Sequence, residues 1–309
     1  ISISGNIVAE TGSILDVSGT KGVLDLSPAY ASIDPAIVKS YGNAQTVPVT
    51  VESNGGTIIL AGGEMLHTGA TLIGKAGGNS AIGGTLEVSS GKFTPIGTAS
   101  NTAEINLSVT QNGGLLPVGT SSQGVGSLLR DENNVVLPGL GHFSVDSFSS
   151  GGFHSLALKG NVRFEGNVSI QTPGSISVAT GGVVRADCDV SLKAGHVALG
   201  QAFRPPALDD EAVILFTRTS AEGVTSAYSF SPTGGTGRLN IEADLIDIGN
   251  LSFDGIGSAS FSAIHGDIRG NGTLSTASDL TFHAGQIYPT TYGDFSIFAY
   301  GGKSVTIER

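Results

Sequence analysis

The sequence predicts an all-β solenoid, a rod of stacked coils of about twenty residues each, carrying inserted excursions. The first sign is a ladder between Phe153 and Gly200: FHSLALKG, NVRFEG, NVSIQT, PGSISVAT, GGVVRADC, DVSLKAG and HVALG. Each segment is a few alternating residues closed by a Gly, Asn, Asp or Pro corner. The second sign is spacing. The apolar anchors Leu156, Val162, Val168, Ile176, Val183, Val190 and Val197 recur at steps of six to eight residues, so three steps close one coil. The third is composition: Gly is 47 of 309 residues and charged residues are only 13%, which favours turns and strands over helix. Because each coil packs only on its neighbours, residues 1–309 read as one solenoid segment rather than two globular domains.

Taken in order, ISISGNIVAETGSILDVSGT already carries the ladder through Ile7, Ile14 and Val17. An excursion follows over about 21–52. Within it, Asp34 as N-cap, Pro35 at the first helical position and Gly42 at the exit predict one short helix. The ladder resumes in TIILAGG, ATLIGKAGG and GTLEVSSG, with Ile58, Leu72 and Leu86 fourteen apart. A second excursion, about 92–151, holds a strand in INLSVTQNGG and a polar loop in LLRDENNVVLPGLG. A third, about 201–237, holds Pro205-Pro206, the acidic Asp209-Asp210-Glu211 and a strand in AVILFTRTS. From Arg238 the ladder returns through Leu239, Leu245, Leu251, Ala259, Ile268, Leu274 and Leu280, and the chain closes on FSIFAYGG and SVTIE. Alternation assigns the faces: Val190, Leu192 and Ala194 inward with Ser191 and Lys193 outward; Val162 and Phe164 inward with Arg163 and Glu165 outward; Leu280, Phe282 and Ala284 inward with His283 outward. Roughly nine coils at ~4.8 Å each give a rod of about 40 Å.

The chemistry of sites is sparse. A net charge of −11 with no cluster of Lys or Arg excludes a phosphate-binding stripe, so no nucleic-acid partner is expected. No run approaches the ~18 apolar residues of a membrane span, so no membrane insertion is expected. Cys188 stands alone and forms no intrachain disulfide, which fits a cytosolic protein and equally a secreted bacterial one that crosses membranes unfolded. The opening ISISGNIVAETG lacks the basic and apolar regions of a signal peptide and starts as though within a strand. The chain is therefore expected to be a piece of a longer protein. His67, His142, His154, His196, His265 and His283 form no HxH or HExxH pattern. Gly302-Lys303-Ser304 lacks the upstream Gly of a phosphate loop, since Ile297 stands there. No GxSxG elbow and no glycine-aspartate calcium nonapeptide occurs. No catalytic, cofactor-binding or metal residue is assigned, and neither a cofactor nor an enzymatic activity is expected.

Two constellations stand out in the sequence. Asp187, Asp189, Asp247, Asp254 and Asp267 lie on neighbouring rungs and could hold calcium or act as an acid and a nucleophile; equally, Asp is a good corner residue. The N-x-S/T sequons at Asn106, Asn167, Asn250 and Asn271 are near the number that chance gives, although Asn167 and Asn250 open strands at corners where a sugar would fit.

The last ladder resembles a known family. Leu280-Thr-Phe-His-Ala-Gly-Gln-Ile-Tyr-Pro-Thr-Thr291, followed by Phe295-Ser-Ile-Phe-Ala299, is similar to the LxLxAGQIYPxT rung and FxIxA strand of filamentous haemagglutinin-like large exoproteins. LALKGNVRFEGNVSI is similar to the same family's rungs. The likeness covers Gly152 to the end, with residues 1–91 alike only in style. It implies a right-handed parallel β-helix from the internal region of a two-partner secretion adhesin, at the bacterial cell surface or secreted. It also implies an outer-membrane β-barrel secretion partner, and a structural or adhesive role toward a host-cell or glycan ligand through the excursions. No catalytic residue carries over. A β-helical polysaccharide lyase or glycoside hydrolase, and a passive spacer of a toxin-bearing stalk, are the other readings.

Overall fold

The computed structural model describes residues 1–26, 46–91, 104–113, 141–201, 203 and 231–309. Most of the described backbone is extended strand. The first strands are β1 (Ser2–Ala9), β2 (Ile14–Asp16), β3 (Lys21–Leu26), β4 (Val47–Glu52), β5 (Thr57–Thr68), β6 (Thr71–Ile73) and β7 (Thr85–Ser90). Then come β8 (Leu107–Thr110), β9 (Gly141–Ser144) and a helix, α1 (Val145–Gly151). Short strands follow: β10 (Ser155–Leu158), β11 (Val162–Glu165), β12 (Val168–Gln171), β13 (Ser175–Val178) and β14 (Val183–Ala186). Longer ones, β15 (Asp189–Leu199), β16 (Thr233–Ile248) and β17 (Leu251–Gly270), bend across corners. The last are β18 (Gly272–Thr276), β19 (Asp279–Pro289), β20 (Phe295–Ala299) and β21 (Val305–Glu308). Among the described residues, 17 of these strands join one sheet whose pairings are all parallel.

Like stacks on like. Ile58, Leu86, Leu156, Ile176, Val197, Ile246 and Ile268 face one another in succession, forming one inward ladder. Leu107, Val162, Val184 and Phe253 form a second. Val168, Val190, Leu239, Ala259 and Leu280 form a third. The expected alternation holds: Val190, Leu192 and Ala194 are buried while Lys193 is exposed, and Val162 and Phe164 are buried while Arg163 and Glu165 are half-buried. Leu280 and Phe282 are buried beside a half-buried His283. Aromatic rings stack along the core as well, with Phe261 lying 4.9 Å from Phe282 and 6.4 Å from Phe253. Such pairs add about 0.5–1.5 kcal/mol beyond the area they bury. At the corners the backbone must turn tightly against the next coil. Gly200 does so at φ +78°, where a Cβ would sit 2.4 Å from the Asn250 carbonyl oxygen.

Three expected anchors are one residue out of phase. Val184, not Val183, faces Val162 and Phe253. Ile246, not Leu245, faces Val197 and Ile268. Leu15, not Ile14, faces Leu72, and Ile14 is 65% exposed. Each error falls on two adjacent large apolar residues, where alternation has no phase of its own and the neighbouring coil decides.

The coil rhythm breaks once in a way that matters. Leu66 faces Gly141, Gly141 faces Leu107, and Leu107 faces Val162, so β9 lies between β5 and the earlier β8. In the adjacent column α1 packs against β6 and β12, in a strand's place. A helix is about 10 Å across, near two strand spacings of ~4.8 Å, which matches the two strands β9 and β8 beside it. Gly74 donates its N–H to the Gly151 carbonyl at 2.9 Å. Gln111 ties the other side: its Oε1 accepts from the Ser169 N–H and its Nε2 donates to Asp146, both at 2.8 Å. Parts of the expected 92–151 excursion thus belong to the sheet and its helical rung.

In the first excursion β3 and β4 pair antiparallel. Glu52 clamps this ribbon, accepting from the Ser80 N–H at 2.8 Å and hydroxyl at 2.7 Å and meeting Lys21 at 2.8 Å. These contacts, Lys21 foremost, hold its carboxyl down to about 2. The helix expected at 34–42, most of LLRDENNVVLPGLG, the acidic run 209–211 and AVILFTRTS lie outside the described residues. No described helix is long and apolar enough to cross a membrane.

The stacked core makes a direct prediction. Phe261→Ala should lower unfolding free energy by about 3–5 kcal/mol, whereas Leu245→Ala, on the outward face, costs much less. Denaturant titration of the two variants checks the phase assignment.

Candidate functional site

In-register stacking also governs the outward face, where each side chain meets its counterpart one coil away. Asp247 faces Arg269, whose Nε and Nη2 donate to its two oxygens at 2.8 and 2.7 Å. His196 Nε2 lies 3.0 Å from the same carboxylate, and the Phe203 ring lies 5.5 Å from the guanidinium. Burial pushes the Asp247 carboxyl up, but the hydrogen bonds from His196 and Arg269 together outweigh it and the net direction is down. Asp254 faces Arg185 and Thr233 in register and pairs with both. Asp279 takes the Ser304 N–H and hydroxyl and the Lys303 ammonium, each at 3.0 Å, and is held at about 2. Lys193 meets Glu242 at 2.5 Å, and Lys159 meets Glu87.

Asp187, Asp189, Asp247, Asp254 and Asp267 therefore do not converge. Asp247 and Asp254 are each bound to a different arginine. Asp189 sits 4.0 Å from Arg238 on the surface, and Asp267 faces Leu245 and Gln286 in another ladder. Asp187 packs its Oδ1 against Gly255 at a corner next to the half-buried thiol of Cys188. A carboxylic acid in acid–base work needs a raised pKa, and the acids that shift here shift down. No group of three or more His, Cys, Asp or Glu that could hold a metal occurs among the described residues.

The sequon asparagines act as corner staples. Asn106 Oδ1 accepts from the Asn161 N–H at 3.1 Å, and Asn167 Oδ1 from the Asp189 N–H at 3.2 Å. Asn250 Oδ1 accepts from the Thr273 N–H at 2.9 Å while its Nδ2 donates to Gln201 at 3.3 Å. Asn at a coil corner is explained by these bonds to the next coil.

Among the described residues, two concavities stand out. One, about 550 Å³, runs along a corner over successive coils and is lined by Gln171, Thr172, Lys193, Glu242, Asp244 and His265. The other, about 360 Å³, opens where α1 replaces a strand and is lined by Glu10, Thr11, His67, Thr68, Asp146 and Ser147. At its wall His67 faces His142 in register, rings 4.7 Å apart and 18° from parallel. Burial, then the neighbouring His142, hold the His67 pKa down to about 4; burial also lowers His142, against an opposing pull from Glu165. Among the described residues, the Nδ1 of His67 and the hydroxyls of Thr68 and Ser108 are buried without a hydrogen-bond partner. Sequence reading missed this pair because His67 and His142 lie on opposite sides of an excursion. The signal available was their shared place after or before an apolar strand residue, Leu66 and Phe143.

Comparison of the chain with protein-family models, with curated proteins and with solved structures gives no match.

Two outcomes follow from these contacts. Asp247→Ala leaves the Arg269 charge without its partner and should cost about 3 kcal/mol, part of which returns in Asp247→Leu combined with Arg269→Leu; unfolding curves report both. For His67 the folded pKa near 4 lies below the unfolded value near 6.5, so the unfolded chain binds the proton first. Stability should be complete above pH 6.5 and fall as pH drops toward 4, by about 2–3 kcal/mol. His67→Gln should flatten that slope in thermal melts taken across the window.

Proposed function

We propose that the chain is a right-handed parallel β-helix segment of a large secreted bacterial surface exoprotein, filamentous haemagglutinin-like, with a structural and adhesive role. The observation that carries this reading is how completely the rungs are spent. Inward positions stack as aliphatic and aromatic ladders, and outward acids are taken up in pairs such as Asp247–Arg269 and Asp254–Arg185. Such a rod supports contacts without doing chemistry, and recognition falls to what interrupts it. The acidic surface, at net charge −11, favours a neutral or basic partner over nucleic acid. Export through an outer-membrane β-barrel and residence at the cell surface belong to the same proposal and rest on the rung likeness at 280–299. A passive spacer is the limiting case in which the interruptions bind nothing.

A second reading, a β-helical polysaccharide lyase or hydrolase, draws on the corner groove of about 550 Å³, where Asp244 and His265 stand together. The other acid of that groove, Glu242, is taken up by Lys193 at 2.5 Å, which leaves no free pair of carboxylates there, so the adhesive reading is preferred.

The test replaces residues 114–140 with a flexible Gly/Ser linker of about ten residues, leaving β8, β9 and α1 in place. Adherence of purified protein to cells should drop at least tenfold. Unchanged adherence would remove this insertion as the contact site. Breakdown of polysaccharide that Asp244→Asn abolishes would replace the adhesive reading with the enzymatic one.

A further inference from the structure

The outward row of β20 departs from the rule that the preceding coils follow. Beside Ile297, which faces Leu274 in the core ladder, Phe298 faces Ser275, and Ser275 faces Ser252. A phenyl ring thus stands where the two preceding coils carry serine. Tyr300 comes two residues on, and its ring lies beside that of Phe298. Both residues are 50% exposed, and their rings stack with centroids 6.4 Å apart and 26° between planes. The surrounding segment is rich in rings: Tyr288, Tyr292 and Tyr300 are three of the chain's six tyrosines, and Tyr292 is 92% exposed. Because Phe298 points sideways from the rod, the inward stacking that buries Phe261 on Phe282 does not take it up. Exposed aromatic side chains gathered on one surface mark a contact for a partner.

The rest of the row selects the partner's chemistry. Asp294, Ser296, Phe298 and Tyr300 are all exposed and alternate along the strand, so a carboxylate, a hydroxyl and two rings lie in line over roughly 20 Å. Asp247, Asp254 and Asp279 each meet a basic side chain, whereas Asp294 forms no ion pair among the described residues. Lys303, the described basic residue nearest to the row in sequence, is held by Asp279 at 3.0 Å. The row therefore offers one carboxylate and two electron-rich ring faces, on a chain of net charge −11. A cation set against the stacked pair lies within ~6 Å of both centroids and is drawn to each, and arginine does this more often than lysine. Asp294 is about 17 Å from the ring pair along the strand, a span that basic residues four to six positions apart in an extended peptide can match.

We propose that the outward row of β20 docks an extended, basic segment of another protein. One arginine of that segment lies on Phe298 and Tyr300, and a second basic residue meets Asp294. The contact uses none of the excursions and stands whether or not the adhesive reading holds.

The test is fluorescence anisotropy of the whole chain with a labelled octapeptide of alternating arginine and threonine. It is run at about 150 mM salt, where attraction to distant charges is screened. The control is the same peptide with citrulline for arginine, which keeps the shape and loses the charge. Saturable binding of the arginine peptide, at least tenfold tighter than the citrulline peptide, is expected. Phe298→Ser restores the residue of the two preceding coils; combined with Tyr300→Ser it leaves the net charge unchanged and should weaken the arginine peptide about tenfold. Asp294→Asn should weaken it about threefold. Circular dichroism confirms that each variant folds. No saturation by the arginine peptide, equal affinity for the citrulline peptide, or undiminished affinity in the folded double variant would overturn the site. So would self-association of the wild-type chain in sedimentation that the double variant abolishes, because the row would then belong to a second copy of this chain. The protein with a linker in place of 114–140 should bind the peptide unchanged even where its adherence is lost. Loss of peptide binding in that protein would move the contact to the insertion and overturn the site.

Discussion

Parallel, in-register hydrogen bonding between successive coils sets each side chain about 4.8 Å from its equivalent on the next coil. Everything else in the molecule answers to that spacing. An inward position must carry something that packs on its own kind, which Val190, Leu239 and Ala259 do, and Phe261 does on Phe282. An outward position must avoid two like charges in succession or compensate them. Arg163 and Arg185 do face each other, and each has an acid at hand, Glu165 at 3.6 Å and Asp254 respectively. A corner must bring the backbone of one coil within reach of the next, which is why Asn and Gly dominate there.

The same constraint explains how an acidic chain can place so many carboxylates on a regular surface. Opposite charges assigned to equivalent positions on neighbouring coils become ion pairs without any long side-chain excursion. The Asp247–Arg269 pair is the fullest case, a two-point contact held under Phe203 and touched by His196. Asp247 and Asp279, so engaged, are stabilised as anions and are poor proton donors. The stacked His67 and His142 invert the pattern: two like residues in register, tolerated because burial keeps them neutral.

Much of the sheet was legible from residue order. The steps of six to eight residues, the corners and the inward–outward rule at Val190–Ala194 are local signals, and a parallel stack reproduces them coil by coil. What was not legible is where local signals are degenerate or where pairing is remote. Val183-Val184, Leu245-Ile246 and Ile14-Leu15 offer two equally apolar choices, and only the opposing coil picks one. The α1 rung has Ser144 at its N-cap and Gly152 in the left-handed conformation at its exit, but in a Gly- and Ser-rich chain those residues are no distinctive signal. The cavity beneath it depends on β1, β5, β9 and α1 meeting across an excursion, which no window of sequence contains.

The insertion of β9 between β5 and β8 has a consequence for assembly in time. A stack that grew strictly coil by coil from its N-terminal side would reach Thr110 with the place beside Leu66 still vacant, because Gly141 had not yet arrived. Residues 104–113 cannot find their final neighbour on that side until thirty more residues have been delivered. Winding is therefore not processive at this point. The strands on its two sides meet directly where Leu86 faces Leu156 and Leu107 faces Val162, and Gly141–Ser144 fills the remaining place between β5 and β8.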